Sequence, residues 1–121
     1  MKPLLCLLSA PLLALALSGC GTAGAAHPDL VVYNDSTQVI YTITLSTETQ
    51  SESVSSPRDL GLLERGDRYG MSLDGRSGPF TLELKGEHGD TLARCRSNYE
   101  GRRLLLTFEE DGRVSVSQEQ S

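Results

Sequence analysis

Three observations predict an all-β chain, folded as a small single-domain antiparallel β-sandwich of about seven or eight strands. Apolar residues recur with period 2 in short runs, among them Val39/Tyr41/Ile43/Leu45, Phe80/Leu82/Leu84 and Leu104/Leu106/Phe108. Clusters of Gly, Pro, Asn, Asp and Ser separate these runs at near-regular intervals. Downstream of the first 20 residues no segment shows a helical period. A small closed β-barrel is the alternative architecture. A transmembrane barrel is excluded, because the outward positions carry Thr, Glu, Lys and Arg where a lipid-facing strand needs apolar residues.

The elements follow in order. Leu30-Val31-Val32-Tyr33 reads as a strand ended by Asn34-Asp35-Ser36, whose short polar side chains bond local backbone. Val39, Tyr41, Ile43 and Leu45 alternate with Ile40, Thr42, Thr44 and Ser46, so one face is apolar and the other mostly hydroxyl. The polar stretch 46–57 holds one apolar residue and is expected to be a mobile loop. Leu60, Leu62 and Leu63 precede a break at Glu64–Asp67, after which Tyr69, Met71 and Leu73 form an inward-facing run. Gly75–Pro79 turns the chain into the Phe80 strand, and Gly86–Asp90 turns it into a strand holding Ala93 and Cys95. A loop near 98–101 leads to Leu104/Leu106/Phe108. Asp111-Gly112 then joins that strand to Val114 and Val116, a dipeptide that favours a hairpin because it tolerates positive φ.

The first 20 residues carry a different message. Lys2 precedes an apolar run from Leu4 to Leu17 of about 14 residues, a secretory signal too short to span a bilayer. Its end, Leu17-Ser18-Gly19-Cys20, resembles the lipobox of bacterial lipoproteins. The resemblance implies cleavage before Cys20 and lipidation of its sulfur, with palmitate among the acyl chains and Cys20 as the mature N-terminus. Ordinary cleavage after Ala23-Gly24-Ala25 is the competing reading. In two-membrane bacteria an aspartate after the lipidated cysteine favours retention in the inner membrane. Gly21 stands at that position, which implies the outer membrane. The expected organisation is a signal peptide over 1–19, a lipidated cysteine and flexible tether over 20–28, a sandwich over 29–118 and a frayed tail over 119–121. His27 falls in the tether.

Removal of residues 1–19 leaves 102 residues, enough for one modest core. The mature chain keeps all sixteen acids and ten cations, a formal charge of −6. That balance argues against nucleic acid and against electrostatic attachment to anionic lipid, so the membrane would be reached through the anchor alone. Of the three cysteines, Cys6 leaves with the signal and Cys20 carries the lipid. Cys95, between Arg94 and Arg96, is expected to be a buried, inert thiol. The alternatives are an intermolecular disulfide, or a Cys20–Cys95 bridge where Cys20 is neither lipidated nor removed.

The body has a second resemblance. Asn34-x-Ser36, Ile40-Tyr41-x-Ile43-x-Leu45-Ser46, Leu60-Gly61-x-Leu63, Gly66, Leu73, Phe80-x-Leu82-x-Leu84 and Gly89-Asp90-Thr91 are similar to a recurrent bacterial β-sandwich domain of secreted and lipid-anchored proteins, over residues 30–107. It implies a fold and carries no catalytic residues.

Chemistry-bearing constellations are sparse. Only His27 and His88 are present; Asp90 beside His88 offers an orienting carboxylate, but the surrounding glycines read as an exposed turn. Neither histidine has the ligand spacing of a zinc site, and Glu109-Glu110-Asp111-Gly112 lacks that of a calcium loop. No catalytic residue, metal or cofactor is therefore assigned beyond the covalent lipid on Cys20. The one basic cluster is Arg94, Arg96, Arg102 and Arg103, with Tyr99 as the aromatic expected beside them at the surface. If the strand after residue 101 pairs with the Cys95 strand, the four guanidinium groups form one patch able to bind the acidic face of a partner. The alternative is that they pair with Glu83, Glu100 and neighbouring acids on the sheet surface. The expectation is a lipid-anchored, non-catalytic binding or assembly module for another envelope protein, or alternatively a periplasmic inhibitor or immunity protein that blocks a toxin or hydrolase.

Overall fold

A computed structural model describes residues 23–56, 60–74 and 76–119. The signal segment and Cys20 lie outside them. Nine strands are present among the described residues: β1 (Ala23–Gly24), β2 (Leu30–Asp35), β3 (Thr42–Ser46), β4 (Ser51–Ser55), β5 (Arg68–Met71), β6 (Gly78–Lys85), β7 (Thr91–Tyr99), β8 (Leu104–Glu109) and β9 (Val114–Gln118). They form two open sheets, in the orders β9-β8-β2-β5-β1 and β4-β3-β6-β7. The described residues are all-β, a small sandwich and not a closed barrel.

One core fills the space between the sheets. Leu30, Val32, Leu104, Leu106 and Phe108 from the five-stranded sheet meet Ile43, Leu45, Phe80, Leu82 and Leu84 from the four-stranded one, each at most 3% exposed. These are the inward positions of the period-2 pattern, since successive strand side chains point to opposite faces.

The pairing is not wholly antiparallel. β2 and β8 run parallel at the centre of the larger sheet, from Leu30 opposite Leu104 to Asp35 opposite Glu109. β2 is therefore paired along both edges, while its outer face is covered only at Val31, which is 4% exposed beside the Ala25–Pro28 segment; Tyr33 is half-buried and Asp35 exposed. The apolar run Leu30-Val31-Val32 coincides with that doubly covered end of the strand.

Two strands appear where the sequence predicts none. The stretch 46–57 was expected to be mobile, yet Thr47 and Gln50 close a turn and β4 pairs antiparallel with β3. Paired hydroxyls replace the missing apolar contacts: Thr42 with Ser55 (3.0 Å), Thr44 with Ser53 (2.9 Å) and Ser46 with Ser51 (3.1 Å). The tether is likewise seated in its described part. β1 pairs in parallel with β5, Ala25 donates its N–H to the Gly70 carbonyl at 3.0 Å, and Pro28 covers Gly70 so closely that a Cβ there would lie 2.8 Å from the ring.

Local phase also differs at two places. Ile40, expected outward, is fully buried in a bridge to Leu63, while Val39 and Tyr41 are half-buried. The chain changes partner at Tyr41, whose N–H bonds the Lys85 carbonyl, so the alternation restarts at Thr42. At Asp111-Gly112 only Gly112 takes positive φ (87°), and its N–H bonds the Glu109 carbonyl at 2.9 Å. That is a type I turn closed by a left-handed glycine, the usual three-residue hairpin loop.

Candidate binding surface

The basic cluster divides between two places. Arg94 and Arg96 stand two residues apart on β7 and share its outer face. Arg102 and Arg103 follow in the β7–β8 connection. The predicted single patch required β8 to pair with β7, but β8 lies in the other sheet, between β9 and β2. Arg103 turns away to the tether, donating from Nε to the Pro28 carbonyl at 2.9 Å and pairing with Glu119 at 3.6 Å. Arg102 is exposed.

Tyr99 corrects the sequence reading most sharply. It is 5% exposed and belongs to the core, its hydroxyl donating to Asp29 Oδ1 at 3.0 Å. Asp29 Oδ2 in turn accepts the Leu73 N–H at 2.6 Å, so one carboxylate ties the end of β7 to the start of β2 and to the chain after β5. Burial first, and then the bond to Asp29, push the Tyr99 phenol above its ordinary pKa, which keeps it a neutral donor. Tyr99→Phe is expected to cost about 1 kcal/mol, the net worth of one such bond. Urea unfolding checks this as a lowered midpoint with unchanged slope.

Across the outer face of the smaller sheet the strands set polar side chains in rows. Ser53, Thr44, Glu83 and Arg94 make one row, and Ser51, Ser46, Thr81 and Arg96 the next. Glu83 takes a hydrogen bond from Arg94 at 3.0 Å and one from Thr91 at 3.1 Å; Arg94, then Thr91, hold its carboxyl below the usual range. Arg94 is thus partly engaged. Arg96, one row on, is exposed and makes no ion pair among the described residues. The inward residues of β7 are Ala93, Cys95, Ser97 and Tyr99, the first three opposite Leu84, Leu82 and Phe80. Cys95 is half-buried, and burial pushes its thiol up, away from the reactive thiolate.

The four sheet edges are protected unequally. β1 has only two residues. β4 carries Glu52 opposite core-facing Leu45, an inward charge that penalises any further strand on that side. β7 is the longest edge strand, with nine residues, no proline after Thr91 and no inward charge. Beside it on the same flank runs β9, with Val116 39% exposed. This flank offers unpaired backbone with Arg96 on its outer side.

Other candidate sites are weaker. A cleft of about 200 Å³ between the β3–β4 turn and the β5–β6 connection is lined by Glu48, Gln50, Ser72, Asp74 and Arg76 among others. It is smaller than the roughly 300–1,000 Å³ of typical ligand pockets. His27 is exposed, and His88 sits in an exposed turn 3.9 Å from Glu87. In the acidic hairpin Glu110 accepts from the Thr37 N–H and hydroxyl, and Glu109 from Ser115. No group of three metal-ligating side chains occurs among the described residues. Sequence reasoning missed Asp29 and Glu52: each acts through a partner more than 5 residues away, which no local pattern displays. Compared with protein families, with characterised proteins and with solved structures, the chain matches none.

Proposed function

We propose that this protein is a lipid-anchored, non-catalytic envelope module, held to the outer membrane through Cys20, that docks another envelope protein along the β7 flank. The observation that carries the reading is the nine-residue edge of β7, long, free of inward charge and flanked by Arg96. An extended partner segment adds a strand to such an edge through main-chain bonds, and side chains on alternate positions supply selectivity. Arg96 favours an acidic segment. A second copy of the chain is disfavoured, because antiparallel β7–β7 pairing about Cys95 sets Arg94 against Arg96, and facing like charges destabilise a sheet.

The test is crosslinking and co-purification of the native membrane-extracted protein, with its intact mass measured in the same preparation. Arg96→Glu breaks no ion pair among the described residues and is expected to reduce recovery of the partner about tenfold, the equivalent of roughly 1.4 kcal/mol. Unchanged recovery removes the β7 flank as the docking site. A stoichiometric complex with a toxin or hydrolase would identify the module as an inhibitor.

A further inference from the structure

We infer that the lipid bilayer faces the β1 side of the domain, so that the anchor and the β7/β9 flank sit on opposite edges of the sandwich and the flank stays clear of the membrane. The inference rests on the proposed lipidation of Cys20. It adds an orientation that lipidation alone does not supply, since a long flexible tether would let any face of the domain meet the lipid.

The tether is short because its described part is built into the sheet. β1 is hydrogen-bonded to β5 at the outer edge of the five-stranded sheet. Gly24 takes φ 91°, and a Cβ there would lie 2.3 Å from the Gly70 carbonyl oxygen, so the close approach needs glycine. Pro28 seals the segment over Gly70, and Arg103 holds the Pro28 carbonyl at 2.9 Å. Between Cys20 and Ala23 only three residue steps remain, a reach of about 10 Å at full extension. Only Glu119, beyond the end of β9, comes to the tether's side, through Arg103, and the body of β9 around Val116 lies four strand intervals from β1 in the same sheet. At about 4.8 Å per interval that is roughly 19 Å, beyond the reach of the anchor.

The direction follows from the register. β1 runs parallel to β5 with Ala23 opposite Tyr69, so its N-terminal end points toward Arg68. There the Arg68 guanidinium stacks over the Tyr33 ring at 4.9 Å on the outer face of the sheet. Amphipathic Tyr and Arg side chains are the types that tolerate the boundary between headgroups and water. The nearby acids Asp35, Glu64 and Asp67 give the bilayer no electrostatic hold, and the short tether alone fixes the orientation.

The chain has no tryptophan, so single tryptophans report position cleanly. The lipidated full-length protein is reconstituted in phosphatidylethanolamine–phosphatidylglycerol vesicles whose acyl chains carry bromine near the headgroup. Tyr33→Trp, beside the outlet, is expected to lose most of its emission, and Val116→Trp, on the far flank, to keep it. Ala23→Trp, exposed at the start of β1, repeats the near reading without disturbing the Tyr33 stack. A Gly-Ser insert of roughly 20 residues between Cys20 and Ala23, with a reach of about 25 Å, is expected to erase the difference. Equal quenching of near and far probes on vesicle-bound protein without the insert overturns the orientation while the anchor stands. A chain that does not float with vesicles and has no acyl mass overturns the anchor reading, and this inference with it.

Discussion

Asn34→Ala is expected to lower the free energy of unfolding by about 3 kcal/mol, because several buried groups lose their partners at once. Asn34 is fully buried at the end of β2. Its Nδ2 donates to the Gln38 carbonyl at 2.8 Å and the Leu63 carbonyl at 3.0 Å, and its Oδ1 accepts the Ser36 N–H at 3.0 Å and hydroxyl at 2.9 Å. One side chain therefore joins the β2–β3 connection to the segment leading into β5. For a domain of this size the loss corresponds to a Tm lower by roughly 12–24 °C, read by circular dichroism. Asn34→Asp separates hydrogen bonding from shape. Its carboxyl faces two carbonyl oxygens in a fully buried site, so the folded state favours the protonated form and its pKa rises above the unfolded value of about 4. A folded state that holds its proton more tightly loses stability as pH rises, so the variant is expected to be closer to wild type at pH 4 than at pH 7. Equal deficits at the two values would place water at the Asn34 site.

The sandwich was legible because its core strands obey one rule over several residues. Phe80/Leu82/Leu84 and Leu104/Leu106/Phe108 alternate cleanly, and all six are buried. The rule fails where the backbone changes partner within a run, as at Tyr41, and the phase read from Ile43 and Leu45 then misassigns Ile40. It is silent where polar pairs replace apolar ones. Nothing in Ser51–Ser55 alone announces a strand, and the hydroxyl ladder appears only once Thr42, Thr44 and Ser46 stand opposite. The parallel β2–β8 pair joins segments about 70 residues apart, a contact that local pattern does not encode.

The candidate surface was half legible for a related reason. Period 2 placed Arg94 and Arg96 together correctly, and the same period, continued two residues beyond Ser97, puts Tyr99 on the inward side with Ala93 and Cys95. Ending the strand early at a supposed loop over 98–101 cost that information. The separation of Arg102 and Arg103 from the other pair needed the sheet order, which sequence adjacency misrepresents when a chain crosses between sheets.

Phe108→Ala is expected to have the largest effect, about 4 kcal/mol, combining lost apolar transfer with a cavity that the flanking strands cannot close. Phe108 is fully buried on β8, set between Val114 of β9 and Asn34 of β2. The parallel pairing with β2 and the antiparallel pairing with β9 hold both neighbouring backbones in place, so collapse around the missing ring is limited. The adjacency to Asn34 makes the two substitutions interdependent. Removing Phe108 opens a space beside the Asn34 network, through which water can reach the Gln38 and Leu63 carbonyls. In that background, loss of Asn34 costs less, because water satisfies groups that would otherwise be stranded. The double variant is therefore expected to fall short of the sum by about 1 kcal/mol, within the range for contacting residues. Urea unfolding of the four proteins at one temperature measures it. Strict additivity would mean that the end of β2 is held by its hydrogen bonds alone, with the β8 ring contributing only to the core.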